Sequence, residues 1–262
     1  MNKNYKLTFE EKFENGLADW EIKEVDELVL KQKETDEVIP DFVRNNTDVV
    51  RADTYVRFSK ENVEVCDSKL ILKAKKDEIG YCGASVQYHG RKFGKGLIEV
   101  KAKLPACMPG IWPKILLNGR NGVAHTDEIF GQIKGINDKG KNSFALFAYY
   151  FDQYGEHRNE YLHSGYQRWP SFYPTMDNDE PLSEDWHIFG YEKTDIDAIF
   201  YLDGIECFRI DIDHPMFTVF DCEGEIALML GANLPRTEAC NEETKLPCSM
   251  EVEYIKFYEE VQ

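Results

Sequence analysis

The feature that most constrains this chain is an alternation of apolar and polar residues with a period of two. Leu70-Ile71-Leu72-Lys73-Ala74 follows Val63-Glu64-Val65 across Cys66-Asp67-Ser68-Lys69, which reads as a hairpin. Gly96-Leu97-Ile98-Glu99-Val100-Lys101-Ala102-Lys103-Leu104 alternates and ends at Pro105. Ile199-Phe200-Tyr201-Leu202 and Ile205-Glu206-Cys207-Phe208-Arg209-Ile210 flank Asp203-Gly204, a pair that favours a type I′ turn because both central residues need positive φ. Glu225 to Leu230 and Ser249 to Tyr258 add two late strands, the last with Met250, Val252 and Tyr254 on its expected buried face. Helical signals are confined to Lys31–Val38 and Glu238–Lys245, each good for a turn or two. Many short strands between turn signals predict an all-β fold, a sandwich or jelly roll.

With 262 residues, 42 % of them hydrophobic, the chain can bury one large β core, and residues 1–262 read as a single domain. Lys and Arg number 31 against 48 Asp and Glu, a formal charge of −17. Such a chain repels phosphate backbones and anionic lipid surfaces, so neither nucleic acid nor membrane is an expected partner. No apolar run reaches the roughly 20 residues of a membrane helix. Met1 to Leu30 shows no leader pattern, so the protein is expected outside the cell only if a leader was removed, and in the cytoplasm otherwise. The 7 cysteines lack any Cys-x-x-Cys spacing and read as small buried thiols. If one pair bridges, Cys240 with Cys248 is the most plausible. The stretch Asp152 to Asp185 reads as a long functional loop.

Four stretches resemble glycoside hydrolase family 16, the laminarinase, lichenase, agarase and carrageenase group. They are Gly96 to Pro105, Gly110-Ile111-Trp112-Pro113, Asp185 to Glu192 with Phe200 to Gly204, and Val252 to Tyr258. With Leu7 to Phe13 at the start, they run in one order over nearly the whole chain. The resemblance implies a concanavalin A-like β-sandwich jelly roll, with a concave groove that takes a polysaccharide or oligosaccharide.

The family's catalytic strand reads Glu-x-Asp-x-Glu, sometimes with one extra residue. In a regular strand i, i+2 and i+4 share a face, which lines up a nucleophile, a tuning Asp and an acid/base. A retaining glycosidase needs the outer carboxyls about 5–5.5 Å apart. Here the matching segment is Asp127-Glu128-Ile129-Phe130-Gly131-Gln132-Ile133. Glu128 fills the nucleophile slot, Phe130 the Asp slot and Gln132 the acid/base slot. A glutamine amide has no proton to give a glycosidic oxygen, and losing general acid help costs about 10²- to 10⁴-fold. The expectation is therefore a catalytically impaired, glycan-binding relative. Two alternatives stay open: an active endo-glycosidase with a displaced acid such as Asp127, Asp152, Glu156 or a histidine of the long loop, and a protein-interaction module using the aromatic 149–173 stretch.

The remaining slots follow the resemblance. Trp112 is expected to stack on a sugar, and Met229 stands where the family carries a groove-lining Asn. Tyr149 and Trp169 belong to the aromatic-rich stretch that could rebuild a sugar platform. His157 and His163 lie in the same stretch. Asp177-Asn178-Asp179-Glu180 reads as a solvated turn rather than an EF-hand loop. The family's calcium site would need an acidic residue where Lys12 stands. No cofactor or metal is therefore expected, and Lys12 is expected to contact Glu253 instead. Asn45-Asn46-Thr47 matches a glycosylation sequon.

Overall fold

The computed structural model describes residues 4–28, 56–120, 124–133, 145–150, 182, 185–211, 223–233 and 239–261. In chain order the strands are β1 (Tyr5–Glu11), β2 (Trp20–Ile22), β3 (Val25–Leu28), β4 (Val56–Phe58), β5 (Val63–Cys66), β6 (Lys69–Lys76), β7 (Tyr81–Cys82), β8 (Ala84–Tyr88) and β9 (Gly96–Lys103). They continue with β10 (Ile111–Arg120), β11 (Ala124–Gln132), β12 (Ala145–Tyr150), β13 (Trp186–Lys193), β14 (Asp197–Leu202), β15 (Ile205–Asp211), β16 (Gly224–Ala232) and β17 (Cys248–Glu260). One short 3₁₀ turn, Lys60–Asn62, is capped by the Ser59 hydroxyl, which accepts from the Glu61 N–H.

Two antiparallel sheets form the jelly roll. The larger runs β15-β14-β13-β9-β17-β6-β5, with β1 also on β17 and β7 on β6. The smaller runs β12-β11-β10-β16-β8-β2. β3 and β4 make a separate ribbon. The alternation explains why the sheets meet. β9 points Ile98, Val100 and Ala102 inward and Leu97, Glu99, Lys101 and Lys103 outward. β6 buries Leu70, Leu72 and Ala74 against the same core, which Ile115, Leu117, Ile226, Leu228 and Leu230 close from the smaller sheet. Burying each Val, Leu or Ile contributes about 1.5–3 kcal/mol. An aromatic corner of Phe9, Tyr88, Phe93 and Phe257 seals one end, with Phe93 edge-on to Phe9 and Phe257 at 5.2 Å.

Local turns follow the sequence chemistry. Asp203 and Gly204 adopt φ of 51° and 76°, and Asp67 and Ser68 adopt 50° and 55°, so both hairpins close with positive φ at the two central residues. The Asp203 carboxylate also accepts from the Ile188 N–H and meets His187 Nδ1, which ties the hairpin to β13.

Several expectations change. On β17 the register shifts between Val252 and Tyr254, so Ile255 and Phe257 take the core positions and Tyr254 stays half-buried on the outside. The bulge's extra residue flips the phase that strict alternation assumes. Glu238–Lys245 carries a turn rather than a helix among its described residues. Cys240 and Cys248 are free thiols, as are the other described cysteines, and burial pushes the Cys248 thiol up to about 12. Lys12 pairs with Glu10 at 3.0 Å and Glu253 with Lys101 at 2.8 Å, so the expected Lys12–Glu253 contact is replaced by a nearer partner for each. Lys31–Val38, the sequon, the Asp177–Glu180 run, His157, His163 and Trp169 lie outside the described residues.

Candidate functional site

The outer face of the six-stranded sheet is set by alternation on its two central strands. Ile115 and Leu117 on β10 and Ile226, Leu228 and Leu230 on β16 face the core. Trp112, Lys114, Leu116 and Asn118 therefore face outward, opposite Gly231, Met229, Ala227 and Glu225 in the ladder. Ser85 and Gln87 on β8 continue the rows opposite Met229 and Ala227. Leu116, Ile129 and Ala227 form a small apolar cluster of their own on this face. Met229 lies across from Lys114 in the ladder.

A bulge on β11 decides which side chains reach that face. Leu117 pairs with Glu128 and Leu116 with Ile129, but Ile115 pairs with Gly131, leaving Phe130 without an opposite number. Phe130 turns inward and stacks on Tyr191 of the opposite sheet, ring centroids 5.8 Å apart at 14°. Gly131 also faces inward: a Cβ there would sit 2.8 Å from Ile115 Cδ1 and 3.0 Å from Phe189. Beyond the bulge, Gln132 opposes Lys114 and returns to the outer face.

Glu128 lies before the bulge, in phase with Leu117, and so enters the interior. It is 0 % exposed, and its Oε1 accepts from Lys193 Nζ at 3.3 Å, with Oε2 at 3.2 Å. Lys193 belongs to β13 of the other sheet, on the face that also buries Phe189 and Tyr191. The two charges bridge the sandwich. Strict alternation expects Glu128, Phe130 and Gln132 to share the groove wall. The structure separates them: two point into the core and only Gln132 turns to the outer side of the sheet, where it is likewise 0 % exposed. Asp127 pairs with Asn118, so its register position falls on the outer face, one residue out of phase with Glu128.

On this outer side the Trp112 indole N–H donates to Gln132 Oε1 at 2.8 Å. Lys114 Nζ lies 3.7 Å from the Trp112 ring centroid, close cation–π geometry. Neither Lys114 nor the polar row beside it was singled out by sequence reasoning. The available signal was a lysine flanked by apolar residues in a strand that alternates. In that row, Gln87 Nε2 donates to Glu225 Oε2 at 2.7 Å, and His89 bridges Glu225 and Glu21, each at 2.9 Å. The Glu21 carboxylate raises the His89 pKa, and His89 lowers that of Glu21. Among the described residues no group of 3 or more His, Cys, Asp or Glu is placed to hold a metal ion. Tyr149 lies on β12 opposite His125 in the backbone ladder.

Solved structures share this architecture over the full length. The catalytic domain of an endo-1,3-β-glucanase (laminarinase) from Thermotoga petrophila superposes with a TM-score of 0.67 at 21 % identity, covering 99 % of this chain and 100 % of that one. This chain has the fold of the family 16 glycoside hydrolases. An endo-β-1,3-glucanase from Pyrococcus furiosus gives 0.66 at 18 % identity, covering 99 % and 96 %. A non-specific endo-β-1,3(4)-glucanase of family 16 gives 0.63 at 17 %, covering 100 % and 94 %. No protein-family model matches the sequence, and no curated protein matches it either.

Proposed function

We propose that this protein binds a β-linked polysaccharide in the outer cleft of its six-stranded sheet without hydrolysing it. The observation that carries the reading is the divergence of Glu128 and Gln132. The carboxylate expected to attack the sugar is buried against Lys193, and the group in the acid/base slot is an amide bonded to Trp112. A carboxylate with no exposed surface cannot reach an anomeric carbon. An amide cannot protonate a leaving oxygen. What the cleft retains is binding chemistry: the half-buried Trp112 ring, the Met229 and Leu116 side chains, and the polar row of Asn118, Gln87, Glu225 and His89. An aromatic face beside hydrogen-bonding side chains suits the C–H and hydroxyl surfaces of a sugar.

A second reading is favoured by one observation. Asp127 holds an outward register position, so an endo-glycosidase could use its carboxylate. Two assays separate the readings. Retardation in polysaccharide-loaded gels reports binding. Release of a phenolate from an activated aryl glycoside, which needs little acid help, reports a surviving nucleophile. Retardation with no phenolate release supports the binding protein. Release that disappears in Asp127→Asn would replace it with the hydrolase.

A further inference from the structure

A polar row crosses one end of the outer face. Asn118 stands six residues beyond Trp112 on β10, which puts the row about 20 Å from that ring at about 3.3 Å per residue. Hydrogen bonds run through it over four strands. Asn118 Nδ2 donates to Gln87 Oε1 of β8 at 3.5 Å, and Gln87 Nε2 donates to Glu225 Oε2 of β16 at 2.7 Å. His89, the residue after β8, places Nδ1 2.9 Å from the same Glu225 oxygen and Nε2 2.9 Å from Glu21 Oε2 of β2. Its backbone N–H donates to the Asp19 carbonyl at 2.9 Å, which anchors the ring's starting point. Alternation turns all five side chains outward, because Leu117, Val86, Tyr88, Ile226 and Trp20 on the same strands face the core. Both carboxylates spend only Oε2 on the row, so Oε1 of Glu225 and Oε1 of Glu21 carry no hydrogen bond among the described residues. These side chains meet solvent, with 23 % of Glu225, 43 % of His89 and 56 % of Glu21 exposed.

We propose that this row is the end subsite of the cleft, where the two open carboxylate oxygens accept hydroxyls of a neutral β-linked sugar chain, and that His89 is the positioning residue that holds both carboxylates in place. This rests on the cleft being a glycan site. A hydrogen bond to an ionised acceptor is roughly twice as strong as one between neutral groups, so sugar hydroxyls gain here while an anionic substituent meets two like charges. Both ring nitrogens of His89 face carboxylate oxygens, and only the imidazolium has an N–H for each. A neutral ring donates from one nitrogen and turns a lone pair on the other carboxylate. That bond then opens, and Glu21 and Glu225 repel without a cation between them. The bond to Glu21 raises the His89 pKa above its ordinary value, so the bridge is closed at about pH 6 and opens as pH rises. The other charges around it are Lys23, which acts on Glu21, Asp19, and the register position of Asp127 opposite Asn118. Arg91 is drawn away by Glu259 and the Phe9, Phe93 and Phe257 rings.

Calorimetric titration at about pH 6 and about pH 9 tests this, with hexasaccharides of a neutral β-1,3-glucan and a neutral β-galactan. The variants are Glu225→Gln, His89→Gln, and Lys256→Met, the last on the opposite sheet as a control for net charge. At least one hexasaccharide should bind at the lower pH, and about ten-fold more weakly to Glu225→Gln. Wild-type affinity for it should fall about three-fold or more at the higher pH. In His89→Gln the affinity should be low and the same at both pH values, a profile that a merely structural role would not flatten. Lys256→Met should match wild type. If Glu225→Gln fails to fold, Glu21→Gln makes the same test on the other carboxylate. Wild-type binding that is equal at both pH values, or a fall that survives in His89→Gln, overturns the role of His89. Carboxylate variants that bind as tightly as wild type overturn the subsite, and in each of these cases the glycan cleft stands. Failure of both hexasaccharides to bind wild type at either pH overturns the cleft and this subsite together.

Discussion

Removing either charge of the Glu128–Lys193 pair should destabilise the protein strongly. The side chains are 0 % and 7 % exposed, and their oxygens and nitrogen lie 3.2–3.3 Å apart between two sheets. Breaking a buried pair by removing one partner costs about 3–5 kcal/mol. For a chain of this length each kcal/mol lowers the melting temperature by about 2 °C. Glu128→Gln and Lys193→Met should therefore each lower it by about 6–10 °C in thermal unfolding followed by circular dichroism. The double variant Glu128→Leu/Lys193→Met fills the space with apolar groups and should recover most of that loss, because the desolvation cost of both charges disappears with them. The resulting double-mutant cycle should give a coupling well above the few tenths of a kcal/mol seen for independent sites. Single variants that melt within about 2 °C of wild type, with no coupling, would refute the inward placement and return Glu128 to the cleft.

Further outcomes follow from the same geometry. Trp112→Ala should weaken oligosaccharide affinity by about ten-fold or more in calorimetric titration, since it removes the ring and the indole that orients Gln132. Gly131→Val should cost about 1–3 kcal/mol in urea unfolding, because its Cβ alone falls 2.8 Å from Ile115 and 3.0 Å from Phe189. His89 has a folded pKa raised above its ordinary 6.5, first through its bond to Glu21. Its contribution is therefore complete below about pH 6.5 and fades as pH rises through the raised value. His89→Gln should lower the melting temperature near pH 6, and the gap should close by about pH 9. The effect should stay below about 1 kcal/mol because the bridge is solvent-accessible.

Much of the fold was legible because its determinants are local. Period-two alternation marks β6, β9 and β16, and Asp203-Gly204 marks its hairpin, since each rests on neighbours within a few residues. The candidate site was less legible because a bulge decides it. Counting in steps of two from Glu128 assumes an unbroken strand, and one extra residue at Phe130 ends that assumption. Gly131 was the readable signal: a glycine inside a strand pattern often marks a bulge. The partner of Glu128 was not readable at all. Lys193 is 65 residues away, on another sheet, and nothing local ties the two together. The same reason explains Lys12 and Glu253, which each take a closer partner on the outer surface. On β17 the shift after Val252 changed the phase again and moved Tyr254 out of the core.

The most direct test of a cleft that binds without cleaving is one titration followed by chromatography of its contents. The protein is titrated calorimetrically with β-linked glucan and galactan hexasaccharides, then held with them overnight, and the sugars are separated by length. Saturable heat with every hexasaccharide recovered intact is the expected result. Saturable heat with shortened sugars, absent in Asp127→Asn, would contradict it and show that a catalytic pair operates in the cleft without Glu128.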